Sequence, residues 1–187
     1  QGEIRSATQK LVGWPYQLGK AYLIDLPPAQ ADAVSQAYRR LPSLADDLRR
    51  YAERAVGERN GAPITGPVIK WQYRTLGLLT SEQADRYGAQ LGRDVSRFDY
   101  TVDSAAVRHV MSRHSDPAVE TSRGQVPIEP ATFALLPQLL QAPDSSRVDE
   151  GRIVLEREVA GGRLVAVFRV QPGRRMLVLV TMWLERL

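Results

Sequence analysis

The 187-residue chain is long enough for one sizeable domain, or for a small domain with an N-terminal extension. A hydrophobic content of 43% indicates a buried core and excludes global disorder. No apolar run in the sequence reaches the roughly 18 residues that a membrane-spanning helix needs, so no membrane partner is expected. The absence of cysteine excludes disulfides, thiolate metal ligands and cysteine nucleophiles. A net charge of +4 is compatible with nucleic-acid binding but does not require it.

Arginine supplies most of the positive charge, since lysine occurs only at Lys10, Lys20 and Lys70. This bias either reflects genomic base composition or serves phosphate binding, for which the planar guanidinium is well suited. The sequence begins at Gln1 rather than Met and has no signal-peptide pattern. We therefore expect a processed product or a piece of a longer protein.

The first part of the chain predicts helices. Residues 1–28 contain scattered glycine and proline and no convincing periodic element, although the apolar run 21–24 is compatible with a strand. Residues 28–56 have apolar side chains at helical spacing, and Pro42 is expected to divide them into two helices. Residues 57–67 contain three glycines and two prolines, which predicts a linker.

The second part predicts helices followed by a sheet. Residues 68–79 indicate a strand or an extended segment. Three further helices are predicted, namely 81–91 capped by Thr80 or Ser81 and followed by Gly92, 105–114 capped by Asp103 or Ser104, and 130–140 with a distortion at Pro137. The apolar runs 153–159, 164–170 and 176–183, separated by glycine-containing turns, are typical of an antiparallel meander.

These elements predict an α+β fold, in which N-terminal helices precede a small antiparallel β-sheet packed against helices. They also predict two units, a helical N-terminal extension over residues 1–67 and a second domain over residues 68–187, which we expect to fold alone.

Both histidines lie on the helix predicted at 105–114. His109 and His114 are five residues apart, or about 140° around the helix axis, so they cannot both point at one spot unless the helix ends near His114. Pro117 indicates that it does end there. We expect His114 to be accessible and functional at the helix terminus, whereas His109 is expected to be either functional or partly packed in the core.

Several common chemistries are not supported by the sequence. The two histidines and Glu120 do not have the spacing of a zincin, no serine lies in a nucleophile elbow, and no phosphate-binding glycine loop is present. An ADP-ribosyltransferase stays open as an alternative, although its characteristic arginine, Ser-Thr-Ser and glutamate motifs are not clear here.

A series of short motifs resembles a known family. They occur in this order: Thr75-Leu76-Gly77, Val102-Asp103-Ser104, Arg108-His109, Arg113-His114, Glu120, Arg123-Gly124-Gln125, Pro143-Asp144 and Val180-Thr181-Met182. Together they resemble the phage-associated nuclease-like domains of the barnase–EndoU–colicin–RelE superfamily, which occur at the C-termini of Mu-type head-morphogenesis proteins and of polymorphic toxins. The resemblance covers residues 75–187. Two positions depart from it, because Ser115 replaces a common glycine and Tyr100-Thr101 replaces a further histidine.

The resemblance implies a metal-independent ribonuclease of the toxin or effector type that cleaves RNA, with tRNA as one candidate, through attack by the 2′-hydroxyl. Its catalytic residues would be His114, His109, Arg123 and Thr181, and its substrate-binding residues Gln125, Arg113 and Glu120. No metal or cofactor is expected. The expected partners are RNA and an immunity or antitoxin protein.

Two points stay open at this stage. The protein's location is not determined, although secretion or phage delivery into a target-cell cytoplasm fits such a toxin. The main alternative function is a catalytically inactive phage head or interaction domain that keeps the same fold, which the missing histidine would favour.

Overall fold

The computed structural model describes residues 2–59, 62–66, 68 and 72–187. In this part of the chain, the helices are α1 (Gly2–Leu11), α2 (Tyr16–Asp25), α3 (Pro28–Arg39), α4 (Pro42–Val56), α5 (Ser81–Leu91), α6 (Ser104–His114), α7 (Pro117–Ser122) and α8 (Leu136–Gln141), with 3-10 helices at Pro130–Leu135 and Pro172–Arg174. The strands are β1 (Glu58–Arg59), β2 (Ala62–Pro63), β3 (Tyr73–Leu78), β4 (Asp99–Asp103), β5 (Gln125–Val126), β6 (Ser145–Asp149), β7 (Arg152–Val159), β8 (Gly162–Gln171) and β9 (Met176–Glu185).

The prediction for the first 28 residues is wrong, because the run 21–24 lies within helix α2 and not in a strand. Glycine and proline in this segment favoured a loop, but tertiary packing overrides that local preference. Gly19 lies inside α2 at a close approach to the sheet, where an added Cβ would lie 3.6 Å from Cγ2 of Thr75. An added methyl group there would make an ordinary van der Waals contact, so the close approach does not itself require glycine.

The capping signals predicted the helix ends correctly. Thr80 and Gln83 form a reciprocal capping box at the start of α5, which ends at Gly92 in the left-handed conformation. Asp103 caps α6 by accepting a hydrogen bond from the amide of Ala106. The predicted division of residues 28–56 at Pro42 is also confirmed.

Three segments refine the predictions. Residues 130–140 form a 3-10 helix followed by α8, in which Pro137 occupies the first turn, so the predicted distortion is confirmed. In the predicted linker, the described residues form only the short hairpin β1–β2. In the predicted extended segment 68–79, β3 covers the second half, and residues 69–71 lie outside the described part of the chain.

The main sheet has the order β3–β4–β9–β8–β7–β6, and β5 pairs with the end of β9. The predicted meander is confirmed, because β7, β8 and β9 are consecutive antiparallel neighbours. One pairing is parallel, between β4 and the start of β9. The sheet is thus mostly antiparallel and the fold is α+β, as the sequence predicts.

The two faces of the sheet differ. One face contributes Leu155, Phe168 and Leu177 to the main hydrophobic core, together with Leu44 and Leu48 of α4. This core therefore joins residues from both sides of the predicted boundary at residue 67.

On the opposite face, which we call the outer face, α2 covers one part, where Tyr16 packs with Tyr73, Met176 and Val178. Farther along the outer face, exposed or half-exposed charged residues of β6–β9 reach solvent, namely Arg147, Arg152, Glu156, Arg163, Arg169 and Glu185.

Among the described residues, no helix has the length and apolar character needed to cross a membrane.

Candidate active site

A buried carboxylate connects the polar groups that follow α6. Asp116 caps the short helix α7 by accepting hydrogen bonds from the amides of Ala118 and Val119, and this turn directs Glu120 inward. Glu120 is completely buried. Its Oε2 lies 3.2 Å from Nδ1 of His114, and its Oε1 accepts a hydrogen bond from Nη1 of Arg123 at 3.1 Å. We call these three residues the Glu120 cluster.

His114 is the last residue of α6, and its position is fixed at three points. Its backbone oxygen accepts a hydrogen bond from the amide of Ile128 at 2.7 Å. Its Nδ1 faces Glu120, and its ring centroid lies 6.3 Å from that of Trp183 on β9. The side chain is 15% exposed, so His114 is only partly accessible to solvent. These contacts hold the ring in one orientation. In the neutral tautomer whose Nδ1 proton is directed at Glu120, Nε2 is the proton acceptor.

Arg123 has a different exposure. Its side chain is 48% exposed, and Nη1 also donates to the backbone oxygen of Arg113 at 3.3 Å. Within the described part of the chain, the other N–H groups of this guanidinium have no recorded acceptor. They remain available to a phosphate, which an arginine can bind through two N–H groups at once.

Gln125 and Thr181 lie on the strands next to this cluster. Gln125 on β5 is the cross-strand neighbour of Glu185 on β9, and its buried Oε1 has no hydrogen-bond partner among the described residues. An unsatisfied buried oxygen typically costs about 1–3 kcal/mol. Thr181 is half-buried on β9, opposite Val167 of β8.

The structure places His109 apart from the Glu120 cluster. His109 is exposed, so the alternative in which it is packed in the core is wrong. Helix α6 buries Val107 and Val110 in the core, and His109 lies on the other side of the helix, at the surface. There it lines a cavity whose other walls come from the start of α6 and from β7, β8 and β9, with the lining residues Asp103, Ala105, Ala106, Arg152, Arg169, Val178, Leu179 and Val180.

The predicted site residues are therefore only partly brought together. Direct contacts join His114, Glu120 and Arg123, and the backbone of Arg113 contacts the same group, while its side chain is exposed. Glu120 was expected to bind substrate, but its complete burial and its two contacts give it the position of a residue that orients His114 instead. In the described part of the chain, no three His, Asp or Glu side chains are grouped so that they would hold a metal ion.

Sequence reasoning did not identify Trp183, Arg152 or Arg169. Trp183 lies beside His114 because β9 runs along α6, a relation that joins distant parts of the chain. The arginines had a signal in the sequence, since Arg169 interrupts the apolar run 164–170. A charge at an alternate position of a strand indicates a solvent-facing side chain, and such a residue can bind a ligand.

Comparison with known proteins agrees with the resemblance predicted from the motifs. A model of the family described as phage-Barnase-EndoU-ColicinE5/D-RelE like nuclease3 matches residues 79–186. The match begins directly after β3, and it includes the Glu120 cluster and the cavity residues on α6 and β7–β9. No curated protein and no solved structure matches the chain significantly.

Proposed function

This chain belongs to the phage-Barnase-EndoU-ColicinE5/D-RelE like nuclease3 family, and on that premise we propose that it is a metal-independent endoribonuclease of the toxin or effector type. The observation that carries this proposal is the contact between His114 and the buried carboxylate of Glu120. It holds one imidazole in a defined orientation within the region that the family match covers.

The proposed reaction uses the substrate's own nucleophile. The 2′-oxygen of RNA attacks the adjacent phosphorus, the bond from phosphorus to the 5′-oxygen breaks, and a 2′,3′-cyclic phosphate forms. A base takes the proton of the 2′-hydroxyl, and an acid gives a proton to the leaving 5′-oxygen. Nε2 of His114 can accept the first proton, and Glu120 then stabilises the imidazolium through Nδ1. No metal ion is needed for these two proton transfers.

The remaining residues are assigned by their positions. Arg123 projects toward solvent beside His114 and would stabilise the charge that develops on the phosphorane. Thr181 would contact the phosphate through its hydroxyl. His109 was predicted to make the second proton transfer, but it lines a cavity apart from the Glu120 cluster, so the His109→Ala variant decides between proton transfer and phosphate binding for this residue. Arg113 and Gln125 would bind the RNA.

The biological setting follows from the same premise. We propose RNA as the substrate, with tRNA as one candidate, and an immunity or antitoxin protein as a partner that blocks the site. A toxin of this type would act in the cytoplasm of a target cell after secretion or delivery by a phage.

The test is cleavage of RNA in excess EDTA. The purified protein is expected to produce fragments with 2′,3′-cyclic phosphate ends, which mass spectrometry identifies. A His114→Ala variant, purified in parallel, controls for contaminating ribonuclease and should be inactive. A requirement for added Mg²⁺ or Zn²⁺ would contradict the proposal. Complete inactivity of the wild-type chain on RNA would favour the inactive head or interaction domain.

A further inference from the structure

Two arginines face each other on the outer face of the sheet. Arg152 on β7 is the cross-strand partner of Arg169 on β8, so both side chains project from the same face. The next residue in this row is Val178 on β9, which packs in the cluster that identifies the outer face. Like charges directly opposite each other destabilise a sheet, and a bound anion between the two arginines would remove that repulsion.

No carboxylate in the described part of the chain forms an ion pair with Arg152 or Arg169. Two acids are close in the fold. Asp103 lines the same cavity, but its Oδ1 caps α6 at 2.6 Å from the amide of Ala106. Asp149 on β6 is the cross-strand partner of Arg152, yet it is not within ion-pair distance of that residue. The two guanidinium groups are therefore exposed and available to an anion from outside the chain.

Two other arginines of the same face have a carboxylate within ion-pair distance, which distinguishes them from this pair. Arg147 on β6 lies 3.7 Å from Glu156, and Arg163 on β8 lies 3.9 Å from Glu185. The available positive charge is thus concentrated at one end of the strands, where His109 contributes a third group to the cavity wall.

This position is separated from the Glu120 cluster by a definite span. Trp183, which lies beside His114, belongs to the cross-strand row that contains Val165 and Glu156. From Arg152 to Glu156 is four residues along β7, or about 14 Å at roughly 3.4 Å per residue. One phosphate cannot occupy both positions, whereas an extended oligonucleotide can follow the outer face between them.

We propose that Arg152 and Arg169 form a second phosphate-binding subsite that holds single-stranded RNA several nucleotides away from the bond cleaved at His114. This inference rests on the proposed function, and it specifies the substrate as an extended single strand. Single-stranded nucleic acid is commonly bound in a positively charged groove that follows its backbone, and unpaired RNA is the form that sheet surfaces recognise.

The test measures binding rather than cleavage. A fluorescein-labelled 2′-O-methyl RNA decanucleotide, which has no 2′-hydroxyl to react, is titrated with the full chain at several salt concentrations. Arg169→Gln and Arg152→Gln should each weaken binding about tenfold at low salt, which corresponds to the loss of one charged contact. Each should also reduce the slope of log K against log[salt] by about 0.7.

Arg147→Gln is the matched control, because it removes the same charge from the same face where Glu156 already neutralises it. It should change both quantities little. Equal weakening by all three substitutions would show diffuse electrostatic attraction and would overturn the subsite. Unchanged RNA binding in Arg169→Gln and Arg152→Gln would also overturn the proposed subsite. That result would favour an acidic protein partner for this surface.

The outcome can be separated from that of the proposed function. Because the probe cannot be cleaved, the subsite is supported or rejected by binding alone, whether or not the wild-type chain cleaves RNA in EDTA. Melting curves of the three variants should coincide with that of the wild type, since all three side chains are exposed.

Discussion

Two buried carboxylates in this protein each bind a cation, and their surroundings differ. Asp99 on β4 accepts a hydrogen bond from Lys20 of α2 at 2.8 Å, and both side chains are almost completely buried. The ammonium group of Lys20 also contacts the hydroxyl of Tyr16 and the backbone oxygens of Arg174 and Arg175. Every donor of Lys20 is therefore used, and we call this group the Lys20 cluster.

The Glu120 cluster has a buried carboxylate but unused groups around it. Each carboxylate oxygen of Glu120 has a partner, in His114 and in Arg123, whereas these two residues keep polar groups that Glu120 does not use. Arg123 is half-exposed, and Nε2 of His114 is not used in the contact with Glu120. We therefore propose that the Lys20 cluster, whose groups are all used, contributes stability, and that the Glu120 cluster, which has unused groups, contributes function.

The largest effect on stability is expected from removing the N-terminal helices. The sequence predicts that residues 68–187 fold alone, but the hydrophobic core crosses that boundary and Lys20 binds Asp99 from the other side of it. We therefore expect the fragment of residues 68–187 to lose cooperative thermal unfolding in circular dichroism, while the full chain keeps it. A sharp transition in the fragment would show that the family region is an independent domain.

The next effect concerns the Lys20 cluster. Lys20→Met should destabilise the fold by about 3–5 kcal/mol, because it leaves Asp99 buried without its cation. Burial raises the pKa of the Asp99 carboxyl above its ordinary range, and Lys20 opposes that shift. In the variant, Asp99 therefore favours its neutral form, and the stability deficit should be smallest at acid pH, below the ordinary carboxyl pKa. It should grow as the pH rises through the elevated pKa of the folded state.

The control for this prediction is Lys20→Met combined with Asp99→Asn. Asparagine has nearly the same shape and no charge, so the double variant should recover much of the lost stability. It should also lose the pH dependence of the deficit, measured by urea unfolding between acid and neutral pH. A deficit that is equal at all pH values would show that packing, and not the buried charge, accounts for the effect.

The same comparison explains what the sequence predicted and what it did not. Local signals were sufficient for α5 and α6, where Thr80, Gly92 and Asp103 mark the ends through contacts within a few residues. Helix α2 was missed because the contacts that hold it, such as that of Lys20 with Asp99, lie on distant strands. The parallel pairing of β4 with β9 also joins segments more than 70 residues apart, which no local pattern indicates.

The candidate site shows the same limit. The short spacing of His114, Glu120 and Arg123 made that cluster accessible to sequence reasoning, although burial changed the expected role of Glu120 from binding to orienting. The pair Arg152 and Arg169 depends on the register of β7 against β8, which becomes visible only when the strands are paired. At the Tyr100-Thr101 pair, where the resemblance led us to expect a histidine, Thr101 donates to Asp99 and so belongs to the Lys20 cluster instead.

The smallest effects on stability are expected for the two histidines, and these substitutions separate stability from chemistry most clearly. His114→Ala should reduce the rate of RNA cleavage by about 10²–10⁴-fold, which is typical of a general acid or base. It should cost no more than about 1–3 kcal/mol of stability, the range for one hydrogen bond to a charged group, because Glu120 keeps its contact with Arg123.

His109→Ala should leave the free energy of unfolding within about 0.5 kcal/mol of the wild type, because the side chain is exposed and its neighbours Val107 and Val110 keep the core contacts. Any loss of rate in this variant then reports function and not folding. A fall in kcat with unchanged binding of the uncleavable decanucleotide would make His109 the second proton-transfer group. Weaker binding with unchanged kcat would place it in the phosphate subsite with Arg152 and Arg169. A lower melting temperature of His109→Ala would contradict the exposed position of His109. Wild-type activity in both His114→Ala and Arg123→Ala would show that the active site lies elsewhere.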